Sequence, residues 1–398
     1  MRSSDDNILF TPLRLKNITL ANRFIRSATY EGMADADGIV LPDIGRLYRR
    51  LADNDAGTII TGFCFISKQG RAMQPSQAGI CDERMTQAWA ETVKLFRQSN
   101  TGAKIFMQLA HTGRQTLSRV TGCEVVGAGN KKCSYFRQKT KPLSDADIET
   151  IINDFADAAA RAKSAGFDGV QIHAAHGYLI HQFLSPATNS RRDKWGGRNL
   201  FLVRILEAVK QTCGSDYPVL VKLSHSDDHS LTIDHTIETI NRISGLVDAV
   251  EISYGTMELA MNIFRGDCPV DVVMRVNPIF RDMPPLMKWL WKRFAGRFYL
   301  HRLKPFTENY NLPASQTIAK NTNVPIISVG GFRALDSMAR AVQPGGISAV
   351  SLCRPLICEP DLIKKFRLGT AAGSRCTNCN LCAVYCDENS KLRCRKYE

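Results

Sequence analysis

The chain has 398 residues, 44% hydrophobic and 23% charged, the proportions of a globular protein able to bury a large core rather than of a disordered one. No uninterrupted apolar run approaches the ~18 residues a spanning helix needs, and Met1-Arg-Ser-Ser-Asp-Asp-Asn7 has no apolar signal core, so an integral membrane segment is excluded and a cytoplasmic location expected. The net charge of +14 is spread along the chain without a nucleic-acid motif, which argues against nucleic-acid binding and suits anionic cofactors and substrates.

In chain order, Leu9 to Asn22 alternates apolar and polar residues around Lys16-Asn17, the pattern of a small hairpin closing one end of a larger body. Arg23-Phe-Ile-Arg-Ser27-Ala28-Thr29-Tyr30 reads as a strand ending in small and hydroxyl residues. A helix follows from Asp43 to about Ala52, then the strand Gly57-Thr-Ile-Ile-Thr61-Gly62. Asp82 caps a helix reaching about Gln98. Ala103 to Leu109 is a strand carrying Gln108, followed by His111-Thr-Gly113-Arg114-Gln115. Residues 116–142 lack periodicity and are too long for an ordinary connection, so a functional loop over the active face is expected.

Ser144-Asp-Ala-Asp147 is a capping-box-like start for an alanine-rich helix ending near Gly166. The short apolar run Gly169-Val-Gln-Ile then opens into His173-Ala-Ala-His176-Gly-Tyr178 and a loop through Gly197. Helices from about Asn199 to Cys213 and Ile233 to Ile243 flank the strand Pro218 to Leu223, which carries Lys222; Asp248 to Tyr254 is the next strand. Residues 257–310 interrupt the rhythm with a basic, aromatic stretch containing Trp289-Leu-Trp291-Lys-Arg293. Its prolines and lack of sustained periodicity favour a folded lid over a membrane-surface segment. Strands at Val324–Gly331 and Ala349–Leu352 and helices from Leu335 to Val342 and Glu359 to Arg367 complete the pattern.

Eight strands, near residues 24, 59, 105, 171, 220, 250, 327 and 350, alternating with helices, predict either a (β/α)8 barrel or a doubly wound sheet. No Gly-x-Gly-x-x-Gly follows the first strand, which selects the α/β TIM barrel. The expected organisation is a barrel over 1–370 with an N-terminal hairpin and a lid-like insertion at 257–310, then a cysteine-rich tail at 371–398. In a barrel, residues at the C-terminal strand ends converge on one pocket. His173, His176 and Tyr178 can there bind an oxygen by hydrogen bonds, with Tyr178 placed to give a proton. Gly330-Gly331 and Cys353-Arg354 follow the seventh and eighth strands, where this fold commonly cradles phosphate, and Lys222 and Gln108 would lie against the ring system of a phosphorylated aromatic cofactor.

Four motifs resemble the old yellow enzyme family of NADH:flavin oxidoreductases over about Leu9 to Gly369: Asn22-Arg23 with Ser27-Ala28-Thr29, Gln108-Leu-Ala-His111-Thr-Gly-Arg114-Gln, the His173-x-x-His176-x-Tyr178 loop, and Val329-Gly-Gly331 with Arg354-Pro355. The resemblance implies an FMN-binding barrel in which Ser27, Ala28, Thr29, Gly62 and Gln108 contact the isoalloxazine and Lys222 its electron-rich side. It implies Gly330, Gly331, Cys353 and Arg354 on the FMN phosphate. It further implies His173 and His176 on a substrate carbonyl, Tyr178 as proton donor, and Tyr30 on the substrate side. NAD(P)H would reduce the flavin first, in ping-pong fashion, with NADH or NADPH left open, and a carbonyl-conjugated alkene would follow. Three positions depart from the pattern: Lys222 replaces a common arginine, Cys353 a common glycine, and Tyr30 a Cys or Thr that tunes flavin potential.

Thirteen cysteines indicate a reducing compartment, with the eight from Cys64 to Cys358 read as small buried hydrophobes. Cys376, Cys379 and Cys382, with Cys386 or Cys394 as fourth ligand, demand a metal or cluster. The set with Cys386 has ferredoxin-like spacing, except that Asp387 replaces the proline. The set with Cys394 resembles the tail of the dienoyl-CoA reductase and trimethylamine dehydrogenase branch. That resemblance implies a [4Fe–4S] cluster serving a further flavin domain; with the sequence ending at Glu398, a separate redox partner is expected instead, and structural Zn²⁺ stays the alternative. A dehydrogenase or demethylase, or a non-enzymatic electron-transfer flavoprotein, are the competing functions. Oligomeric state is left open.

Overall fold

The computed structural model describes residues 7–388 and 390–397. The residues 1–6 behind the expectation of no signal segment, and Asn389 and Glu398 of the tail, lie outside them.

Eight parallel strands close a barrel in chain order: β1 (Phe24–Arg26), β2 (Thr58–Phe65), β3 (Lys104–Ala110), β4 (Gly169–Ala174), β5 (Val219–Ser224), β6 (Ala249–Ser253), β7 (Ile326–Val329) and β8 (Ala349–Leu352), with β8 pairing back to β1 through Val350 and Phe24. These are the strands expected from the sequence. They are apolar on both faces because one face fills the barrel and the other meets helices. A layer of Ile25, Ile60, Phe106, Leu220, Ala249, Ile327 and Ala349 packs the interior. The hairpin Leu13–Arg14 with Thr19–Leu20 closes this end, and its Leu13, Leu15 and Leu20 join the same layer.

The helices follow their sequence signals. In α1 (Pro42–Ala52), Pro42 occupies the first turn, where its missing N–H costs nothing. Asp82 accepts from the backbone N–H of Met85 at the start of α2 (Glu83–Arg97). Ser144 and Asp147 form a reciprocal capping box at α3 (Asp145–Ser164), whose small Ala158, Ala159 and Ala162 allow close packing under the barrel wall. A cap of this kind contributes about 1 kcal/mol. Then come α4 (Leu200–Cys213), packed against α3, and α5 (Ile233–Ile243). Among the helices that went unread in the sequence is α6 (Leu312–Lys320), a nine-residue segment beginning Leu-Pro, too short to show a full apolar stripe. The short helices Leu179–Leu184, inside the stretch read as loop, and Arg354–Cys358 are others. The ring ends with α7 (Leu335–Ala341) and α8 (Leu362–Arg367).

The insertion after β6 is helical, with short helices at Ala260–Phe264, Val270–Val276, Pro285–Arg293 and Ala295–His301. It has a satellite core of its own, Met261 and Val276 packing with Val384 of the tail. The tail is clasped to the barrel face. Ser374 N donates to Arg333 O, Leu392 N to Glu31 O, and Asn380 Nδ2 to the carbonyls of Arg265 and Asp267. No helix is long and apolar enough to cross a membrane among the described residues.

Candidate active site

The C-terminal strand ends meet in a polar floor that is fully buried. Lys222 on β5 donates to Ser27 Oγ at 2.9 Å and pairs with Glu251 Oε2 on β6 at 3.2 Å. Glu251 also accepts from Ser27 Oγ at 2.7 Å and Gln171 Nε2 at 2.9 Å, and Gln171 Oε1 accepts from Gln108 Nε2 at 2.6 Å. Burial by itself would raise the Glu251 pKa. The Lys222 charge and these donors outweigh it and hold the carboxyl below its ordinary value. Lys222 is thus both a barrel-mouth ion pair and part of the wall of the cavity above it.

That cavity is walled by Ser27, Ala28, Lys222, Gly330, Gly331, Cys353 and Arg354, which brings together seven of the ten expected cofactor residues. Gly330 and Gly331 have φ of +135° and +86°, and a Cβ on Gly330 would meet the Tyr310 ring and Asn311 amide at 2.6 Å, so both positions require glycine. The other three lie behind the wall with their polar groups engaged. The Gly62 N–H donates to Glu31 Oε1 at 2.9 Å, Thr29 Oγ1 contacts Ser27 O and the Cys353 sulfur, and Gln108 is held by Gln171. Arg354 lines the cavity, but its guanidinium donates to the carbonyls of Phe264 and Arg265 and to Asn380 Oδ1, tying the insertion and the tail to the strand end.

The trio stands at the end of β4. The His173 ring lies 5.0 Å from that of His176 and 4.8 Å from that of Tyr178, with Phe63 5.6 Å from Tyr178. His173 Nδ1 accepts from Ala175 N at 3.3 Å, so the neutral ring carries its proton on Nε2. His176 Nε2 meets Ser253 Oγ at 2.8 Å, and its φ of +62° marks the sharp exit from the strand, followed by Gly177 at +78°. Burial first, and then neighbouring positive charge including that of Lys222, push both imidazole pKa values well below 6.5. Burial, with Cys386 and Asp387 nearby, raises that of the Tyr178 phenol. All three are neutral donors at neutral pH. Tyr30 lies beside Phe63, its ring 6.3 Å away, and its hydroxyl accepts from Ser76 N.

Tyr178 faces a second, larger cavity of about 790 Å³, roofed by the loop 116–142 and the insertion. Glu258 of the insertion clamps this roof, accepting from Arg114 and from Ser134 of the loop. His181, expected only as part of the loop motif, lines this cavity with neither ring nitrogen partnered, and burial lowers its pKa to about 4. The remainder of that loop is structural. Arg191 donates to Leu143 O at 2.7 Å and Ala128 O at 3.1 Å, and Asn189 Nδ2 to the carbonyls of Phe183 and Trp195.

The tail cysteines do not form one group. Cys376, Cys379, Cys382 and Cys394 ring a small cavity together with Cys358, whereas Cys386 turns to the large cavity beside Asp387. Among the described residues no three Cys, His, Asp or Glu side chains meet as they would on a single metal ion. Of the eight cysteines read as small buried hydrophobes, Cys64, Cys133, Cys213 and Cys358 are buried, Cys358 also touching Cys394, whereas Cys81, Cys123, Cys268 and Cys353 are only half-buried.

Sequence reasoning also missed Glu251 and Gln171, each a polar side chain between two apolar residues in the middle of a buried strand, which is the signal that could have found them. It missed Arg333, two residues after Gly331, which lines the cavity above Lys222 with a buried, unpartnered Nε. Asp387 carried no local signal. It reaches the large cavity only because the tail folds back, where Gln74 and Asn277 donate to it.

A closed parallel barrel whose strand ends present a glycine cradle, a buried cation and a His–His–Tyr trio defines an NAD(P)H:flavin oxidoreductase. The chain belongs to the NADH:flavin oxidoreductase / NADH oxidase family, the old yellow enzyme family, whose model matches residues 8–261. It is 34% identical over 363 residues to an NADPH dehydrogenase of Geobacillus sp. (strain WCH70), covering 89% of this chain and 92% of that protein. It is 29% identical over 394 residues to the NADH oxidase of Thermoanaerobacter brockii, covering 97% of this chain but only 55% of that protein's length. The fold matches that of an old yellow enzyme homologue from Zymomonas mobilis with a TM-score of 0.72 at 23% identity, over 98% of this chain and 99% of that one.

Proposed function

We propose that the protein is an FMN-dependent reductase of carbonyl-conjugated C=C bonds that draws its hydride from NAD(P)H. The observation that carries this reading is the His173–His176–Tyr178 cluster, in which donors that burial keeps neutral stand between the Lys222 cavity and the large roofed one. The residues present fit FMN: a phosphate cradle at Gly330 and Gly331 that no side chain could enter, unpartnered buried Arg333 Nε and Arg265 Nε nearby, and Lys222 with Ser27 on the inner wall.

When bound, FMN would supply the hydride. His173 donates from Nε2 to the substrate oxygen, where negative charge develops, and neutral donors in a desolvated site stabilise that charge without reorganising. His176 assists from Nδ1, in the tautomer whose Nε2 accepts from Ser253. Tyr178 gives its proton to the carbon opposite the hydride, a role for which a phenol held neutral is suited. Tyr30 and Phe63 bound the substrate side. We read residues 1–370 as the catalytic unit and 371–398 as a separate tail. Substrate-dependent NAD(P)H oxidation with an enone, assayed on flavin-loaded enzyme, tests the proposal. No turnover from protein that carries flavin would overturn it.

The thiols ringing one cavity support a second element. We propose that Cys376, Cys379, Cys382 and Cys394 hold a metal centre, an iron–sulfur cluster rather than zinc, because they surround a space instead of meeting at a point. Such a centre would allow electrons to leave for a redox partner. Iron and acid-labile sulfide analysis of anaerobically purified protein decides it, and one zinc per chain without iron would overturn it.

A further inference from the structure

The helices Pro285–Arg293 and Ala295–His301 have two apolar faces. The inner one places Trp291 and Tyr299 in the wall of the large cavity. Among the described residues nothing covers the outer one: Leu286 is 67% exposed, Trp289 59%, Phe294 64% and Phe298 70%, with Leu290 beside them. Leu286, Trp289, Leu290 and Phe294 fall at helical spacing, so they share one stripe. Folding of this chain does not require that stripe, since burial of the inner face already packs the lid. An exposed aliphatic and aromatic surface of this density is a binding surface.

Its charge selects the partner. From Met283 to Thr307 there are six Lys and Arg residues and no Asp or Glu. Lys292 is paired with Asp271 and Lys304 with Asp228, whereas Arg293 and Arg302 flank the apolar stripe, lying over the rings of Phe294 and Phe298. A second copy of the same face would bring like charges together. Nucleic acid would satisfy the cations, but it has no place for Leu286 and Leu290. An anionic bilayer satisfies both, seating Trp and Leu at the acyl boundary while Arg side chains reach the headgroups.

We propose that this outer face of the lid is a peripheral docking surface for membranes rich in anionic phospholipid. The helices lie in the interface plane, and the mouth of the large cavity is held at the membrane. This stands apart from the assigned reaction, because it concerns attachment and not turnover.

The test is co-sedimentation of the flavin-loaded full chain with sucrose-loaded vesicles, either of phosphatidylcholine alone or with about 30% phosphatidylglycerol. Binding to the anionic vesicles only, weakened severalfold when salt rises from about 0.1 to about 0.5 M, and a blue shift of tryptophan emission are expected. Arg293→Glu with Arg297→Glu, both exposed, should lower the partition by about 25-fold or more, from about fivefold for each of the two cations lost. Trp289→Ser with Phe298→Ser should abolish the blue shift. Both variants should retain the parent's flavin content and its activity on a water-soluble enone, which separates failed docking from failed folding. No sedimentation with anionic vesicles overturns the proposal. So does equal binding to both vesicle types, a nucleic-acid complex that displaces the vesicles, or a dimer in light scattering that Trp289→Ser with Phe298→Ser dissolves.

Discussion

Lys222 and Glu251 form an ion pair of 3.2 Å with both side chains withdrawn from water, on adjacent strands β5 and β6. Glu251 thereby orders Ser27, Gln171 and, through Gln171, Gln108, so a single carboxylate holds four polar groups, Lys222 among them, beneath the cavity at the strand ends. Replacing Glu251 by Ala leaves a buried, unpaired cation, and we expect a loss of about 3–5 kcal/mol in urea unfolding together with reduced flavin retention. Wild-type stability in the variant would show that the pair holds nothing.

The same pair sets a pH dependence. Because the folded-state pKa of Glu251 is depressed, its contribution is fully present above the carboxylate range of an unfolded chain, about 4.3, and is lost as pH falls through the lower folded value. Urea midpoints should begin to decline below about pH 6.5, where an unfolded chain's histidines take up protons that buried His173 and His176 do not. The Glu251 share should appear as a further drop below about pH 4.5. In a Glu251→Gln protein the drop should be smaller.

Tyr178→Phe removes the proposed proton donor and leaves its packing against Phe63 and His173. The half-reaction with the alkene should slow by about 10²-fold or more, while reduction of the enzyme by NAD(P)H is unchanged. Stopped-flow measurement of the two half-reactions separately checks this. An unaltered alkene rate would remove Tyr178 from the mechanism.

His173 and His176 donate as neutral rings, since burial holds both pKa values well below 6.5. Substrate KM should therefore stay flat between about pH 8 and pH 5.5, with no inflection near the ordinary histidine value. Ser253→Ala frees His176 Nε2 and should raise KM by about tenfold, the equivalent of one hydrogen bond to a polar group.

The cysteines separate by position. Cys394→Ser should lower iron content sharply, whereas Cys386→Ser, outside the ring of thiols, should leave it intact. The reverse result in metal analysis would exchange their roles.

All eight barrel strands were legible because each is a short apolar run flanked by turn residues and separated by a helical period. So were the caps at Asp82 and Ser144, since side-chain-to-backbone capping is local chemistry. Gly330, Gly331, Lys222 and the His–His–Tyr trio were legible as strand-end residues, because in a closed barrel every strand end points to one face. Only the tertiary structure decided what each of these touches. That Lys222 is neutralised by Glu251, that Arg354 grips the insertion and the tail, and that Cys358 meets Cys394 while Cys386 turns away are contacts between residues 26 or more positions apart. Local propensity and spacing carry the period of an element and the direction of its strand end. The partner of a buried charge or thiol is set by which distant segment packs against it, and no local pattern encodes that.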